Sequence, residues 1–303
     1  MDFVGDDDIE LAARGGDVRV VLSRYGAGLR ELRVDGREAV CRDTDRARVS
    51  WYSGVMLAPW PNRLRDATWE FEGERLTGTV NEGLGHGHHG LVFRRPFSVE
   101  EQTSERVRFE LELGADPVYP FAVRIAVEYT AVATGLRCEI SATNHDTRRV
   151  PFAVGMHPYF PVDAGTRLVL DAEAVLLTDE RQLPTGELAD PLSLGVAAGV
   201  AADLESLRLD HCFTSLRRDA RGVAAAQLLD VDGGVTELWQ DESLPYTQVF
   251  TLGEFPAASG LRRAVGIEPQ SAPANAFNSG EGLVWLAPGE TKSFTWGIDS
   301  RSA

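Results

Sequence analysis

The chain has few positive charges, and nearly all of them are arginines. Lysine and arginine together number 30 against 46 aspartates and glutamates, which gives a net charge of −16, and Lys292 is the only lysine. A protein that binds a phosphate backbone needs clustered basic side chains to displace its counterions. The composition therefore argues against nucleic acid as a partner and favours a small neutral ligand.

Cysteine is also scarce. The three cysteines, Cys41, Cys138 and Cys212, are widely spaced. An odd and scattered set provides neither a disulfide framework nor a CxxC metal motif. We therefore expect three reduced thiols packed in the interior.

Targeting, membrane-spanning and phosphate-binding segments are missing as well. The N-terminus is acidic where a secretory signal needs basic residues, and it has no apolar core. No later apolar run has the length of a membrane span, and neither GxxxxGK(S/T) nor a helix-opening GxGxxG occurs. We expect a cytoplasmic protein without a membrane partner, either a monomer or a homodimer.

Alternating polar and apolar residues, typical of β-strands, run through most of the chain. Residues 17–34 contain two such runs, and the second ends at Asp35-Gly36, a strong hairpin signal. Residues 68–76 repeat this pattern. Further strands are predicted over 107–113, 121–132, 135–143, 166–176, 223–231, 235–240, 247–252, 264–268, 283–287 and 291–298.

Only residues 196–206 suggest a helix of any length, and Gly199 weakens that assignment. Many short strands without alternating helices predict an all-β fold, an antiparallel sandwich or barrel, rather than a parallel α/β fold. The length of 303 residues allows two average domains, although β-sandwiches often form one larger unit. Because no segment has the composition of a linker, we expect a single domain over residues 1–303.

Glu268 is the first candidate for chemistry. It follows the apolar run 264–267 and precedes Pro269, which predicts a strand that ends in a rigid corner. Partial burial there favours the neutral carboxyl and moves its pKa towards that of a general base. A hydrogen-bonded structural carboxylate is the alternative.

Three histidines, His86, His88 and His89, lie in the glycine-rich stretch GHGHHG. On an extended segment, His86 and His88 share a face and could ligate a metal together. The residues that follow supply no acidic ligand, so we expect no metal. The alternative is a neutral histidine that binds a ligand or transfers a proton at the rim of a pocket.

His157 follows the apolar run 150–154 and precedes Pro158. Imidazole is the side chain best suited to exchange protons near neutral pH. The alternative is a histidine that packs against Tyr159 and Phe160 and bonds to the backbone.

The loop 57–65 is punctuated by prolines and carries Trp60, Asn62 and Arg63. A flat aromatic face beside fixed donors suits a carbohydrate site, where the face meets the sugar ring and the donors meet its hydroxyls. An ordinary surface loop is the alternative.

Asp210 and His211 are the last candidate group. An aspartate on a short loop can accept hydrogen bonds from two adjacent hydroxyls. An Asp-His pair also occurs in serine hydrolases, but the chain has no GxSxG motif to supply a nucleophile.

Five short motifs follow one another along the chain: PxPNRL at 59–64, HG at 89–90, HPYF at 157–160, DHCF at 210–213 and GIEPQ at 266–270. Together they resemble the aldose 1-epimerase (mutarotase) family. The resemblance implies a large antiparallel β-sandwich, the galactose mutarotase-like supersandwich, with its site in a groove over one sheet. It also implies cofactor-free interconversion of sugar anomers.

The resemblance implies a role for each site residue. Glu268 resembles the general base that takes the proton from the anomeric hydroxyl, and His157 resembles the general acid that protonates the ring oxygen. Arg63 and His89 resemble the groups that hold the ring oxygen and its neighbouring hydroxyls, and Asp210 resembles a carboxylate that binds hydroxyls. An acid and a base on different sides of the sugar lower the barrier together.

Two departures leave the sugar undetermined. Leu91 stands where the family often has a second glycine, and Pro158 replaces a more polar residue of galactose mutarotases. One alternative substrate is a 6-substituted hexose, a phosphate or sulfonate, which Arg65, Arg94 and Arg95 could bind. Another alternative is a sugar-binding protein without catalysis, although a binder has no need of both an acid and a base.

Overall fold

The structure, a computed structural model, describes residues 8–15, 17–43 and 50–303. Its strands are β1 (Asp8–Ala12), β2 (Val18–Ser23), β3 (Gly28–Val34), β4 (Arg37–Val40), β5 (Met56–Leu57), β6 (Arg63–Leu64), β7 (Thr68–Phe71), β8 (Glu74–Thr77), β9 (Gly87–His88), β10 (Ser98–Gln102), β11 (Arg106–Leu113), β12 (Val123–Val132), β13 (Gly135–Asn144) and β14 (Val150–Phe152).

The chain continues with β15 (Gly155–Met156), β16 (Tyr159–Pro161), β17 (Arg167–Leu170), β18 (Ala172–Thr178), β19 (Pro184–Ala189), β20 (Ala202–Asp203), β21 (Asp210–Leu216), β22 (Ala224–Leu229), β23 (Val235–Gln240), β24 (Tyr246–Ala257), β25 (Gly260–Gln270), β26 (Val284–Leu286) and β27 (Thr291–Arg301). Short helical turns are the 3-10 segments Ser50–Tyr52, Arg65–Ala67 and Pro191–Leu194, and the α-helix α1 (Ala276–Ser279).

Two large antiparallel sheets make up most of the structure. One has nine strands in the order β10-β11-β12-β13-β27-β23-β22-β17-β20. The other has eight, in the order β19-β18-β21-β24-β25-β15-β5, with β16 paired to β25. Strands β1 to β4 form a further four-stranded sheet. The predicted all-β antiparallel fold is confirmed.

The core includes apolar side chains from both large sheets. On β25, Val265 and Ile267 join it, and on β24 Val249 does so. Because successive strand side chains point to opposite faces, Gly266 and Glu268 lie on the other face of the eight-stranded sheet. This outer face carries the candidate site. The expectation of a single domain over residues 1–303 remains a prediction.

Most predicted strands lie where the alternation places them. Residues 235–240 match β23, and the turn between β3 and β4 has the positive φ angles of a tight hairpin at Asp35 (51°) and Gly36 (74°). The predicted strand 166–176 is instead divided at Asp171 into β17 and β18, which belong to different large sheets.

The helix predicted over residues 196–206 is wrong. Val200 N–H donates to the Ala197 carbonyl in a turn, and Gly199 has a φ of 68°, which a right-handed helix does not accommodate. The segment then enters β20. Val200 is 58% exposed, so the apolar residues that suggest a helix do not form one buried stripe.

Although Pro269 predicts a strand end, β25 continues through it to Gln270. Pro269 pairs with Thr247 of β24, and Glu268 pairs with Gln248. On its other side β25 pairs with β15 and β16. Glu268 is therefore held within a sheet by neighbouring strands rather than at a proline corner.

The three cysteines are buried free thiols, as expected. None of the helical segments within residues 8–15, 17–43 and 50–303 has both the length and the apolar character that a membrane span requires.

Candidate active site

A cavity of about 240 Å³ opens on the outer face of the eight-stranded sheet. Its walls include Asp210 of β21, Gln248 and Phe250 of β24 and Glu268 of β25, together with the segments 51–52, 62–63 and 88–89. Six of the seven site residues expected from the sequence line this cavity, and Trp60 does not.

The acid and base candidates lie side by side. Glu268 on β25 is 2% exposed, and His157, between β15 and β16, is 4% exposed. Glu268 Oε1 lies 3.2 Å from His157 Nε2, and Glu268 Oε2 accepts a 2.9 Å hydrogen bond from Gln270 Nε2. Instead of lying on different sides of the cavity, as their roles predict, the two groups share one wall.

Burial opposes a charge on either member of this pair. It raises the pKa of Glu268 well above its usual range, and the Asp210 carboxylate adds to this effect while Gln270 and Arg63 oppose it. Burial also lowers the pKa of His157 to about 3. An imidazolium–carboxylate ion pair is therefore disfavoured, and burial favours a protonated Glu268 beside a neutral His157.

Aromatic rings surround His157. Tyr159 stacks on the imidazole with ring centroids 5.0 Å apart, and Tyr52 lies nearly parallel to it at 6.3 Å. His89 meets it edge-on at 5.3 Å. His157 Nδ1 is buried and has no hydrogen-bond partner among the described residues. These contacts exclude water from the imidazole, which is the physical cause of its low pKa.

His89 and Asn62 are joined by two hydrogen bonds, each donated by a backbone N–H. His89 N–H donates to the Asn62 carbonyl at 2.8 Å, and Asn62 N–H donates to His89 Nδ1 at 3.1 Å. Burial, with nearby His88 and His157, keeps the pKa of His89 well below its usual value. A neutral His89 whose Nδ1 accepts must carry its proton on Nε2. His89 therefore supplies a neutral N–H donor.

Arg63 and Asp210 are charged residues that lie close together on the cavity wall. Arg63 Nη2 lies 3.9 Å from Asp210 Oδ2, which is longer than a direct hydrogen bond. Arg63 Nη1 donates to Asn62 Oδ1 at 3.1 Å, and Gln248 Nε2 donates to Asp210 Oδ1 at 2.6 Å. The neighbours fix both groups, and each retains capacity to bind hydroxyls.

Trp60 lies outside the cavity, contrary to the expectation that it contacts a sugar. Its indole is 4% exposed, its N–H donates to the Gly87 carbonyl at 3.3 Å, and its ring packs edge-on against Phe277 at 5.7 Å. A buried tryptophan needs such a partner for its N–H. Trp60 thus anchors the loop that carries Asn62 and Arg63.

Several lining residues were not indicated by the sequence. Gln248 and Phe250 lie on β24, opposite Glu268 and Gly266 of β25. Trp51 is 50% exposed and lies 6.2 Å from the Phe250 ring. No local motif marks these residues, but the register between β24 and β25 would have identified Gln248 and Phe250.

His86 and His88 have separate environments. His86 Nδ1 accepts from the Asp66 N–H at 3.2 Å, and its Nε2 lies 3.2 Å from the Arg181 carbonyl. His88 stacks on His89 at 3.6 Å. In the part of the chain that the structure describes, no three His, Cys, Asp or Glu side chains are arranged to hold a metal ion. His86 instead ties its loop to the neighbouring segments.

The aldose 1-epimerase family model matches residues 7–298. The chain belongs to the aldose 1-epimerase family. In this family member, the five motifs spread along the chain supply Asn62 and Arg63, His89, His157, Asp210 and Glu268, all of which line one cavity.

The individual relatives are distant in sequence. The uncharacterized protein YihR of Escherichia coli (strain K12) is 30% identical over 291 residues, which cover 93% of this chain and 89% of YihR. Aldose 1-epimerase of the same organism is 25% identical over 253 residues, 77% of this chain and 72% of that enzyme. The GalM/aldose epimerase homologue of C. elegans superposes with a TM-score of 0.83 at 22% identity, covering 98% of this chain and 99% of that one. The galactose mutarotase-like fold is thereby confirmed.

Proposed function

We propose that the protein is an aldose 1-epimerase, an isomerase that interconverts the α and β anomers of a hexose by acid–base ring opening and reclosure. The observation that carries the proposal is the buried pair of Glu268 and His157, whose Oε1 and Nε2 are 3.2 Å apart on the wall of an open cavity. The polar groups of Arg63, His89 and Asp210 around them suit the hydroxyls of a pyranose.

The chemistry explains why the acid and base can be neighbours. Ring opening removes a proton from O1 and adds one to O5, and both oxygens are bonded to C1. The Glu268 carboxylate takes the O1 proton as C1=O1 forms, the C1–O5 bond breaks, and the His157 imidazolium protonates O5. Rotation about C1–C2 presents the other face of the aldehyde, and the reverse transfers close the ring as the opposite anomer.

The pair carries one proton throughout this cycle. Before ring opening the proton is on His157, and afterwards it is on Glu268. Because burial disfavours both charges, the uncharged distribution after ring opening is the more stable one in the protein. Arg63, whose charge opposes the raised pKa of Glu268, helps to form the ionised distribution that starts the reaction.

Polarimetry with freshly dissolved α-anomers tests the proposal. We expect the protein to accelerate the change in optical rotation of at least one free aldohexose above its spontaneous rate, with saturation at high sugar concentration. Saturable sugar binding by calorimetry without any acceleration would contradict the proposal and support a sugar-binding protein without catalysis.

A hexose with an anionic group at C6 is a second candidate substrate. Arg65, Arg94 and Arg95 are not among the residues that line the cavity. Arg94, however, lies over the Phe93 ring at 5.2 Å, and that ring packs edge-on against Tyr52 of the cavity at 5.0 Å. A stacked guanidinium at the rim suits a phosphate or sulfonate.

Glucose and glucose 6-phosphate at matched concentrations distinguish the two substrates. If the anionic sugar is preferred, Arg94→Gln should lower kcat/KM for glucose 6-phosphate and leave that for glucose unchanged. Equal effects on both sugars would rule out anion recognition by Arg94.

A further inference from the structure

Gln270 contacts the base candidate from outside the cavity. It lies two residues beyond Glu268 on β25 and is completely buried. Its Nε2 donates to Glu268 Oε2 at 2.9 Å. Its Oε1 is also buried and has no hydrogen-bond partner among the described residues. The carboxamide is therefore satisfied only on the side that faces Glu268.

The sheet fixes the position of this carboxamide. Gln270 pairs with Gly155 of β15 on one side and with Tyr246 of β24 on the other. A Cβ atom on Gly155 would lie 3.0 Å from Gln270 Cγ, so the glycine makes room for the glutamine stem. The donor is consequently held against one carboxylate oxygen by close packing.

A second buried glutamine, Gln240, provides a comparison because both ends of its carboxamide are hydrogen-bonded. Gln240, on β23 of the other large sheet, is 1% exposed. Its Nε2 donates to the Leu244 and Tyr246 carbonyls, and its Oε1 accepts from Thr247 Oγ1 at 2.9 Å. An unpaired buried acceptor costs stability, whereas a fully paired carboxamide does not. Stability therefore accounts for Gln240 and not for Gln270.

We propose that Gln270 is a positioning residue that directs the shared proton of the Glu268–His157 pair to Glu268 Oε1, the oxygen beside His157. An N–H donor on Oε2 disfavours protonation of that oxygen, so Oε1 alone exchanges the proton. Unlike His157 Nε2, which donates or accepts according to its protonation, the carboxamide N–H donates in every state of the pair. The inference rests on the proposed function.

Other ionisable groups also act on this pair. The titratable side chains that face Glu268 from the neighbouring elements are His157, Tyr159, Asp210, Cys212 and Arg63. All of them remain when Gln270 is replaced. A change in the pH dependence of a Gln270 variant therefore reports the lost N–H donor.

The test compares Gln270→Met with Gln240→Met, because methionine keeps the approximate shape of glutamine and removes its polar atoms. For Gln270→Met we expect kcat to fall about tenfold, equivalent to about 1.4 kcal/mol, with KM within about twofold of the original value because Gln270 does not touch the sugar. The melting temperature should stay the same or rise. Gln240→Met should melt at a lower temperature and retain the original kcat.

The pH profile separates positioning from packing. A carboxylate that loses a donor binds its proton more tightly, so the pair keeps its single proton to higher pH. The alkaline limb of kcat should therefore move to higher pH in Gln270→Met and stay in place in Gln240→Met. The inference would be overturned if Gln270→Met kept both its kcat and the alkaline limb of its pH profile, or if only its KM rose.

Infrared spectroscopy keeps this test independent of catalysis. The band of a protonated carboxyl that is missing in Glu268→Gln reports Glu268 directly, without any sugar. Its titration midpoint should be higher in Gln270→Met than in the unaltered protein. An equal midpoint would overturn the inference even if the enzyme is active, and a raised midpoint in an inactive protein would count against the proposed function alone.

Discussion

Two glutamates of this protein have equally low solvent exposure, but their pKa values are shifted in opposite directions. Glu31 on β3 and Glu268 on β25 are each 2% exposed. Glu31 accepts hydrogen bonds from Arg33 at 2.6 Å, Arg42 at 2.8 Å and Arg19 at 3.2 Å. Burial alone would raise the pKa of Glu31, but these arginines outweigh it and lower the pKa.

Among the described residues, Glu268 has no such cations in direct contact. Its two oxygens face the His157 imidazole and the Gln270 amide, and burial raises its pKa well above the usual range. Ionic partners, together with the depth of burial, thus decide whether a hidden carboxylate keeps its charge. The first arrangement stabilises the fold, and the second leaves a proton that can be exchanged.

The largest expected effect is on catalysis. His157→Asn removes the acid of the proposed site, and we expect accelerated mutarotation to fall by about 10² to 10⁴-fold. The exposed His145, which pairs with Glu112, provides a matched control. His145→Asn should keep full activity in the same polarimetric assay, and equal losses in both variants would contradict a special role for His157.

The next largest effect is on stability at the first glutamate. Glu31→Gln leaves three arginines without their shared carboxylate, and we expect it to lower the free energy of unfolding by about 1 to 3 kcal/mol near neutral pH. Because the pKa of Glu31 is lowered in the folded state, its stabilising effect is present above its unfolded pKa and is lost as pH falls through the folded one. Denaturant titrations at neutral and acidic pH measure the difference in the free energy of unfolding between Glu31→Gln and the unaltered protein. If that difference does not shrink on acidification, Glu31 does not stabilise the fold through its charge.

A smaller effect of opposite sign is expected at the second glutamate. The raised pKa of Glu268 means that its ionisation favours the unfolded state once pH exceeds the unfolded pKa. Glu268→Gln should therefore stabilise the protein at neutral pH, on the order of 1 kcal/mol. The gain should disappear near pH ~3, where glutamate is protonated in both states. Destabilisation at neutral pH would show that Glu268 is a structural carboxylate like Glu31.

The smallest expected effect is that of mild acidification on kcat. An exposed histidine titrates near pH ~6.5, but the pKa of His157 is lowered to about 3. We expect kcat, corrected for the spontaneous rate, to vary little as the pH falls from ~7 to ~5, because a His157 with a pKa of about 3 takes up no further proton over this interval. A clear loss near pH ~6.5 would show that His157 is more hydrated than the structure indicates.

Local patterns in the sequence account for much of the fold and for most of the candidate site. Strict alternation predicts strands such as 235–240, and motif chemistry indicates Glu268, His157 and Arg63. These features depend on neighbouring residues, which the sequence shows directly. Such patterns also distinguish buried from exposed strand faces.

Other features depend on contacts between distant segments. Gln248 and Phe250 line the cavity only because β24 pairs with β25 in one register, and a shift of one residue would send them to the core face. Trp60 is buried away from the cavity, where its indole N–H donates a hydrogen bond to the Gly87 carbonyl. Sequence patterns contain no information on either contact.

The comparison of the two glutamates also gives the most direct test of the central claim, that Glu268 exchanges the anomeric proton. Polarimetry of a fresh α-anomer should show loss of acceleration in Glu268→Gln, by about 10² to 10⁴-fold, and normal acceleration per folded molecule in Glu31→Gln. A Glu268→Gln variant that retains the full rate would contradict the claim.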